Sequence, residues 1–301
     1  MALKPYLQLI RLPNVFTAAA DSLAGWLLVR GTFEHPKRWL PLLACSMTLY
    51  AAGIALNDYF DYQIDLKERP GRPLPSGRIT RAFAGWVGAI LLALGPGLAA
   101  LSVSVSSLIV AAVLALSVLA YDAGLKRTVL GPEVMGLCRG LNFLLGMSQD
   151  ARLGGPVGWL VAGSLAVFVT GVTWISRTET ETGRTSGLYA GMALENLAIL
   201  GLLAAALQPR GLPSPTPDRP VIPVEGLLVL LLVAWVVNLA TSRAIRQPVP
   251  GMIQKAVKTG VLALVWLDFG VVAAARGFVP ALAVVVLWLP AFLLGRWLDS
   301  T

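Results

Sequence analysis

Ten apolar runs follow one another through this chain, near residues 14–29, 39–57, 82–101, 103–121, 130–148, 157–175, 187–207, 221–241, 256–275 and 278–295. A bilayer's hydrocarbon core is roughly 30 Å thick and a helix rises about 1.5 Å per residue, so each run is about long enough to cross it. A helix is also one of the few structures that satisfies its backbone polar groups inside lipid. The sequence therefore predicts an all-α fold, a polytopic transmembrane helix bundle of about nine to ten spans. Only Arg276 and Gly277 separate the last two runs, which form two spans, a tight helical hairpin, or one span and a surface segment. Only 13% of the 301 residues are charged, where a soluble domain carries roughly a quarter. That deficit excludes a disordered chain, a nucleic-acid binder and an ordinary cytosolic enzyme. No stretch reads as a soluble second domain, so residues 1–301 are expected to form one unit.

The connections set the orientation. With the N-terminus inside, sixteen of the 24 Lys and Arg fall on one side and seven on the other, with Arg139 left within a span. The positive-inside rule makes the heavier side, with the N-terminus, cytoplasmic. The net charge of +8 suits anionic lipid headgroups or phosphates. Lys4 and Arg11 precede the first run and further spans follow it, so it reads as an uncleaved helix. Cys45 and Cys138 lie in apolar runs and read as small buried hydrophobes. His35 is a surface residue, and residues 208–223 form a proline-rich outer loop.

The second run ends in NDYFDYQIDLKERPGRPLPSGRIT. Spacings of three and four place Asp58, Asp61 and Asp65 on one helical face, beside Asn57. Like charges on one face repel, and a carboxylate at membrane depth costs a few kcal/mol without compensation. Carboxylate and amide oxygens are ligands that Mg2+ prefers, and it takes its remaining ligands from phosphates and water. A diphosphate bridged by Mg2+ would neutralise this face. Arg69, Arg72 and Arg78 in the next loop are suited to the remaining phosphate oxygens.

This run resembles the first signature of the UbiA-type intramembrane prenyltransferases, N-D-x-x-D-x-x-x-D followed by R-P-L-x-S-G. RLPNVFTAAADSLAGWLL (Arg11 to Leu28) resembles the family's first helix, and YDAGLKR (Tyr121 to Arg127) its tyrosine-plus-basic loop. KAVKTGVLALVWLD (Lys255 to Asp268) resembles a late helix. The RLPN start, YDAGLKR and TETETG together resemble the EboC-like branch. The resemblance implies a helical bundle around a central cavity that moves an isoprenoid from a Mg2+-bound prenyl diphosphate to an acceptor, often aromatic. It implies that Asn57, Asp58, Asp61 and Asp65 hold Mg2+ and the diphosphate. Arg72, Lys126 and Arg127 would bind phosphate, and the Tyr121 ring would face the allylic cation. Arg11 and Asn14, on one helical face, would suit acceptor contacts.

The family's second acidic motif, D-x-x-D-x-x-x-D, is altered here to TWISRTETETGRTSG. Ser176 stands at the first acid, with Glu179 and Glu181 as candidate metal ligands after it. Arg139 sits mid-span, where an unpaired cation is costly, and is expected to face a polar cavity near acceptor or phosphates, or an ion-pair partner. Asn142 is a weaker candidate of the same kind. Asp21 and Asp268 are buried acids with partners unnamed by the sequence. Gly136, Gly140, Gly183, Gly187 and Gly191 suit close helix approach, and Trp39, Trp159 and Trp297 suit interfacial anchoring. Two other functions compete. One is a prenyl-lipid-binding relative with weakened catalysis, which the altered motif permits. The other is a lipid transporter, whose hallmark of matching interrupted helices in two halves is absent.

Overall fold

The computed structural model describes residues 3–179, 185–208, 224–290 and 293–294, and no strand occurs among them. The chain forms helices α1 (Lys4–Leu9), α2 (Leu12–Arg30), α3 (Pro36–Phe60), α4 (Tyr62–Glu68), α5 (Arg81–Ala100) and α6 (Val105–Ala123). After a 3-10 turn at Leu125–Arg127 come α7 (Gly131–Met147), α8 (Gly155–Arg177), α9 (Ser186–Ala206), α10 (Val224–Arg246), α11 (Pro250–Arg276) and α12 (Phe278–Val286). Eight of these are long and apolar enough to cross a membrane. At 17 residues α7 stands at the lower bound for a span, which is about that length. The tenth apolar run begins as the nine-residue α12. Most of the expected outer loop, with Gly183, Glu181 and Trp297, lies outside the described residues.

Burial sorts the helices. Every α2 residue from Ala18 to Val29 is buried, and the second half of α11 is nearly as enclosed. A helix apolar on all sides suits such a central place. By contrast, α5, α6 and α10 expose large apolar residues outward, among them Trp86, Leu116 and Trp235. In water such a surface would aggregate, whereas in a bilayer it meets acyl chains at no cost. Trp159 is exposed as an anchor would be, and Trp39 donates its indole N–H to the Phe33 carbonyl. The protein is an integral, multi-pass membrane protein.

Small residues let the backbones touch, as lipid-embedded helices require. A Cβ on Gly146 of α7 would overlap the Ser22 carbonyl and lie 2.9 Å from Trp26 N of α2. On Gly191 of α9 it would lie 2.7 Å from the Gly171 carbonyl of α8, and on Gly140 it would lie 3.0 Å from the Ala162 carbonyl. At the far end from the acids, Arg276 Nε donates to the Leu28 carbonyl at 3.0 Å, tying α11 to α2. Gly146→Ala is expected to destabilise the protein by about 1–3 kcal/mol through overpacking. Gly163, with open space around it, is the control, since alanine there should be neutral or slightly stabilising. Thermal unfolding in detergent checks this; equal melting of the two variants would refute the close α2–α7 contact.

Candidate functional site

The acids gather where α3 gives way to α4. Asp61 sits at the break, with φ −89° and ψ 7°. Its N–H donates to the Asn57 carbonyl and its own carbonyl accepts from Asp65 N, both at 2.9 Å, so hydrogen bonding runs through the break. Asp58 and Asp65 are each 3% exposed. They share one guanidinium: Arg72 Nη1 lies 2.7 Å from Asp65 Oδ2 and 3.5 Å from Asp58 Oδ1. Asp61 faces another pair of cations, with Lys126 Nζ 2.7 Å from Oδ2 and Arg127 Nη2 3.1 Å from Oδ1. Each carboxylate therefore has a cation against it, which offsets the desolvation that burial imposes.

Local structure aims these cations. The segment 69–80 folds on itself: Leu74 and Ile79 bury against Leu9, Ala55 and Ala84, and Gly77 supplies the left-handed φ of 73° that closes the turn. Arg78 is a strut inside this loop, donating to the Gly71 carbonyl at 2.6 Å and to Gln8 Oε1 at 3.2 Å. Of the loop's arginines, Arg72 reaches the acids. Arg69 is exposed at the end of α4, with no side-chain polar contact among the described residues. Between α1 and α2, Arg11 takes a left-handed φ of 44°, a conformation that costs a non-glycine residue about 1–3 kcal/mol. That turn carries its guanidinium to 3.5 Å from Asp58 Oδ1. Burial lowers the Arg11 pKa, and the Asp58 charge pulls it back up.

The end of α6 contributes a residue that the sequence reading missed. Asp122, 3% exposed, accepts from Asn57 Nδ2 at 3.2 Å and lies 3.7 Å from Lys126 Nζ. Its i,i+4 relation to Lys126 was the available signal. Tyr121 is half-buried on the preceding position. Asn14 lies in the first turn of α2, where its carbonyl accepts from Thr17 Oγ1 at 2.7 Å. Glu179, past the end of α8, accepts from Gln254 Nε2 of α11 at 2.6 Å. Glu181 lies outside the described residues. Arg177, also missed, donates from Nη2 to the carbonyls of Lys126 and Thr128.

Deeper in the bundle, Arg139 of α7 forms an ion pair with Asp21 of α2 and lies 4.0 Å from Asp268 Oδ2 of α11. Asn142 donates to Asp21 Oδ2 and to the Ala18 carbonyl, both at 2.9 Å, and accepts from Ser46 Oγ at 2.6 Å. The mid-span arginine thus meets the two acids whose partners the sequence left open.

The donor set at the α3–α4 break is made of hard oxygens: three motif acids, the Asn57 amide and the added Asp122. Such oxygens fit Mg2+, which binds through one or two carboxylates plus phosphates and water. Among the described residues no three acids, histidines or cysteines are grouped to enclose an ion as they stand. The motif acids are turned to bases instead.

Residues 18–183, more than half of the chain, match the family model of the UbiA prenyltransferase family. The chain belongs to that family. Within curated proteins, this UbiA-family member is 38% identical over 95 residues to digeranylgeranylglyceryl phosphate synthase of Sulfolobus acidocaldarius, covering 32% of this chain and 34% of that one. It is 29% identical over 206 residues to the synthase of the same name from Methanothermobacter thermautotrophicus, covering 68% and 71%. The first of these matches thus spans about a third of the relative's length. Among solved structures, a UbiA homolog from Archaeoglobus fulgidus bound to DMAPP and Mg2+ superposes with a TM-score of 0.63 at 16% identity, covering 89% of this chain and 99% of that one. The two share the fold.

Arg139→Met is expected to cost about 3–5 kcal/mol of stability, because it strands buried carboxylates without a counter-charge. Adding Asp268→Asn should return part of that loss. Unfolding of both variants in detergent tests the pairing; an Arg139→Met protein as stable as the parent would contradict it.

Proposed function

We propose that this UbiA-family protein is a Mg2+-dependent prenyltransferase working as one unit within the membrane. It would transfer an isoprenoid chain from a prenyl diphosphate to a small lipophilic acceptor, aromatic or otherwise. The supporting observation is the interleaving of the motif acids with cations from three separate segments: Arg11, Arg72 and the Lys126–Arg127 turn. These are the two halves of a diphosphate site, held against each other. The names of the relatives, which make a prenylated lipid phosphate, and the neighbour bound to DMAPP and Mg2+ agree with this reading.

In this mechanism Asn57, Asp58, Asp61 and Asp65 would hold Mg2+, and Glu179 and Glu181 of the altered second motif would be its auxiliary ligands. The bound ion would supply charge to neutralise the diphosphate. Arg72, Lys126 and Arg127 exchange their carboxylate partners for phosphate oxygens, with Arg69 and Arg11 at the rim. The allylic C–O bond breaks and its electron pair leaves with the diphosphate. This cationic frame stabilises the charge gathering there. The Tyr121 ring faces the allylic cation until the acceptor attacks it. Asn14 would lie on the acceptor side, whereas Arg139, expected there too, is engaged by Asp21. The N-terminus and the acidic end face the cytoplasm, where water-soluble Mg2+ reaches them.

A prenyl-lipid-binding relative without turnover is the second reading. It is favoured by Glu179, which accepts a hydrogen bond from Gln254. Diphosphate release from geranyl, farnesyl and geranylgeranyl diphosphates, with a membrane extract as acceptor source, separates the two. Release is expected to require Mg2+ and to fall at least about 100-fold in Asp61→Ala, the scale of losing one preorganised electrostatic contact. Release independent of both would sink the proposal. No release with Mg2+-dependent binding intact would establish the second reading.

A further inference from the structure

We propose that Arg177, at the last turn of α8, is a positioning residue that holds the Lys126–Arg127 turn where it must stand to receive a diphosphate. This rests on the function proposed above. The turn Leu125–Arg127 is only three residues long. Its own backbone hydrogen bonds are Arg127 N to the Gly124 carbonyl and Thr128 N to the Leu125 carbonyl, each 3.0 Å. So short a turn lacks the cooperative ladder that keeps a longer helix in place. Yet it carries two of the cations that meet Asp61.

Arg177 supplies the missing constraint. Its Nη2 donates to the Lys126 carbonyl at 2.8 Å and to the Thr128 carbonyl at 2.6 Å, gripping the turn from behind while Lys126 Nζ points forward to Asp61. Hydrogen bonds from a charged donor are roughly twice as strong as neutral ones. Space for the guanidinium is kept open by Gly131, the first residue of α7. A Cβ there would run into Arg177 Nη2 and sit 2.8 Å from the Lys126 carbonyl. The stretch whose acids depart from the expected second motif thus contributes a cation that acts on the first site through the backbone. A displacement of about 1 Å in a positioned group is enough to cost around 100-fold in rate.

The test compares the parent with Arg177→Ala, Arg177→Lys, Gly131→Ala and Lys126→Ala. It measures pyrophosphate affinity in the presence of Mg2+ by calorimetry, and KM and kcat for geranylgeranyl diphosphate. Arg177→Ala is expected to weaken pyrophosphate and raise KM at least tenfold, with a smaller change in kcat. Lysine, able to make one of the two bonds, should restore part of the loss. Gly131→Ala, which reaches the same contact from the other side, should reproduce it. In the Lys126→Ala background, Arg177→Ala should add less than threefold, because residues that act as one unit are not additive. Parent-like affinity in well-folded Arg177→Ala and Gly131→Ala, or full additivity with Lys126→Ala, would overturn the positioning role. A parent that binds no pyrophosphate at all would overturn the proposed function, and this inference with it. Should Arg177→Ala not fold, Arg177→Lys and Gly131→Ala decide the question alone.

Discussion

Three carboxylates on adjacent turns at the edge of a bilayer can stand there only if cations stand against them. The rest of the acidic end follows from that requirement. Arg72 closes the loop of residues 69–80 over Asp58 and Asp65. The turn after α6 brings Lys126 and Arg127 to Asp61. A strained left-handed Arg11 joins from the α1–α2 junction. None of these segments is a regular helix that would hold its shape unaided, so folding of the loops and neutralisation of the acids are one event. The same interactions hold the motif acids and Arg11, Arg72, Lys126 and Arg127 against one another at the acidic end.

A second charged group obeys the same rule at mid-depth, with a different outcome. Arg139 lies between Asp21 and Asp268, and Asn142 and Ser46 add hydrogen bonds to Asp21, to each other and to the Ala18 carbonyl. Four helices, α2, α3, α7 and α11, meet in that network. Lipid offers no hydrophobic force to press helices together, so close glycine contacts and such polar links hold the bundle. At the acidic end each motif carboxylate meets a cation from a loop or turn, whereas this inner group pairs residues of the bundle's own helices.

Much of this was legible in the sequence, because it depends on short spacings. Asp58, Asp61 and Asp65 fall three and four residues apart, and the runs around them are as long as a bilayer is thick. Other features depend on residues far apart in the chain. Nothing near Arg139 shows that its partner is Asp21, more than a hundred residues earlier. The break at Asp61, which turns this carboxylate toward Lys126 while its neighbours face Arg72, is a tertiary effect that an unbroken acidic face hides. Asp122 was within reach through its i,i+4 lysine. Arg177 acts on the backbone of a turn far earlier in the chain, which no local spacing shows. The last apolar run, whose role the sequence left open, begins after a break at Gly277, with φ 90°, as a nine-residue helix.

In the proposed function the motif acids and the loop cations are resting partners that separate to take up Mg2+ and a prenyl diphosphate. The most direct measurement is a structure with Mg2+ and a non-hydrolysable prenyl thiodiphosphate bound. If the partners exchange as proposed, the Lys126–Asp61 and Arg72–Asp65 pairs, both 2.7 Å here, open, with the cations on phosphate oxygens and the acids on the metal side. A complex in which both pairs stay closed, with the diphosphate held elsewhere, would contradict it.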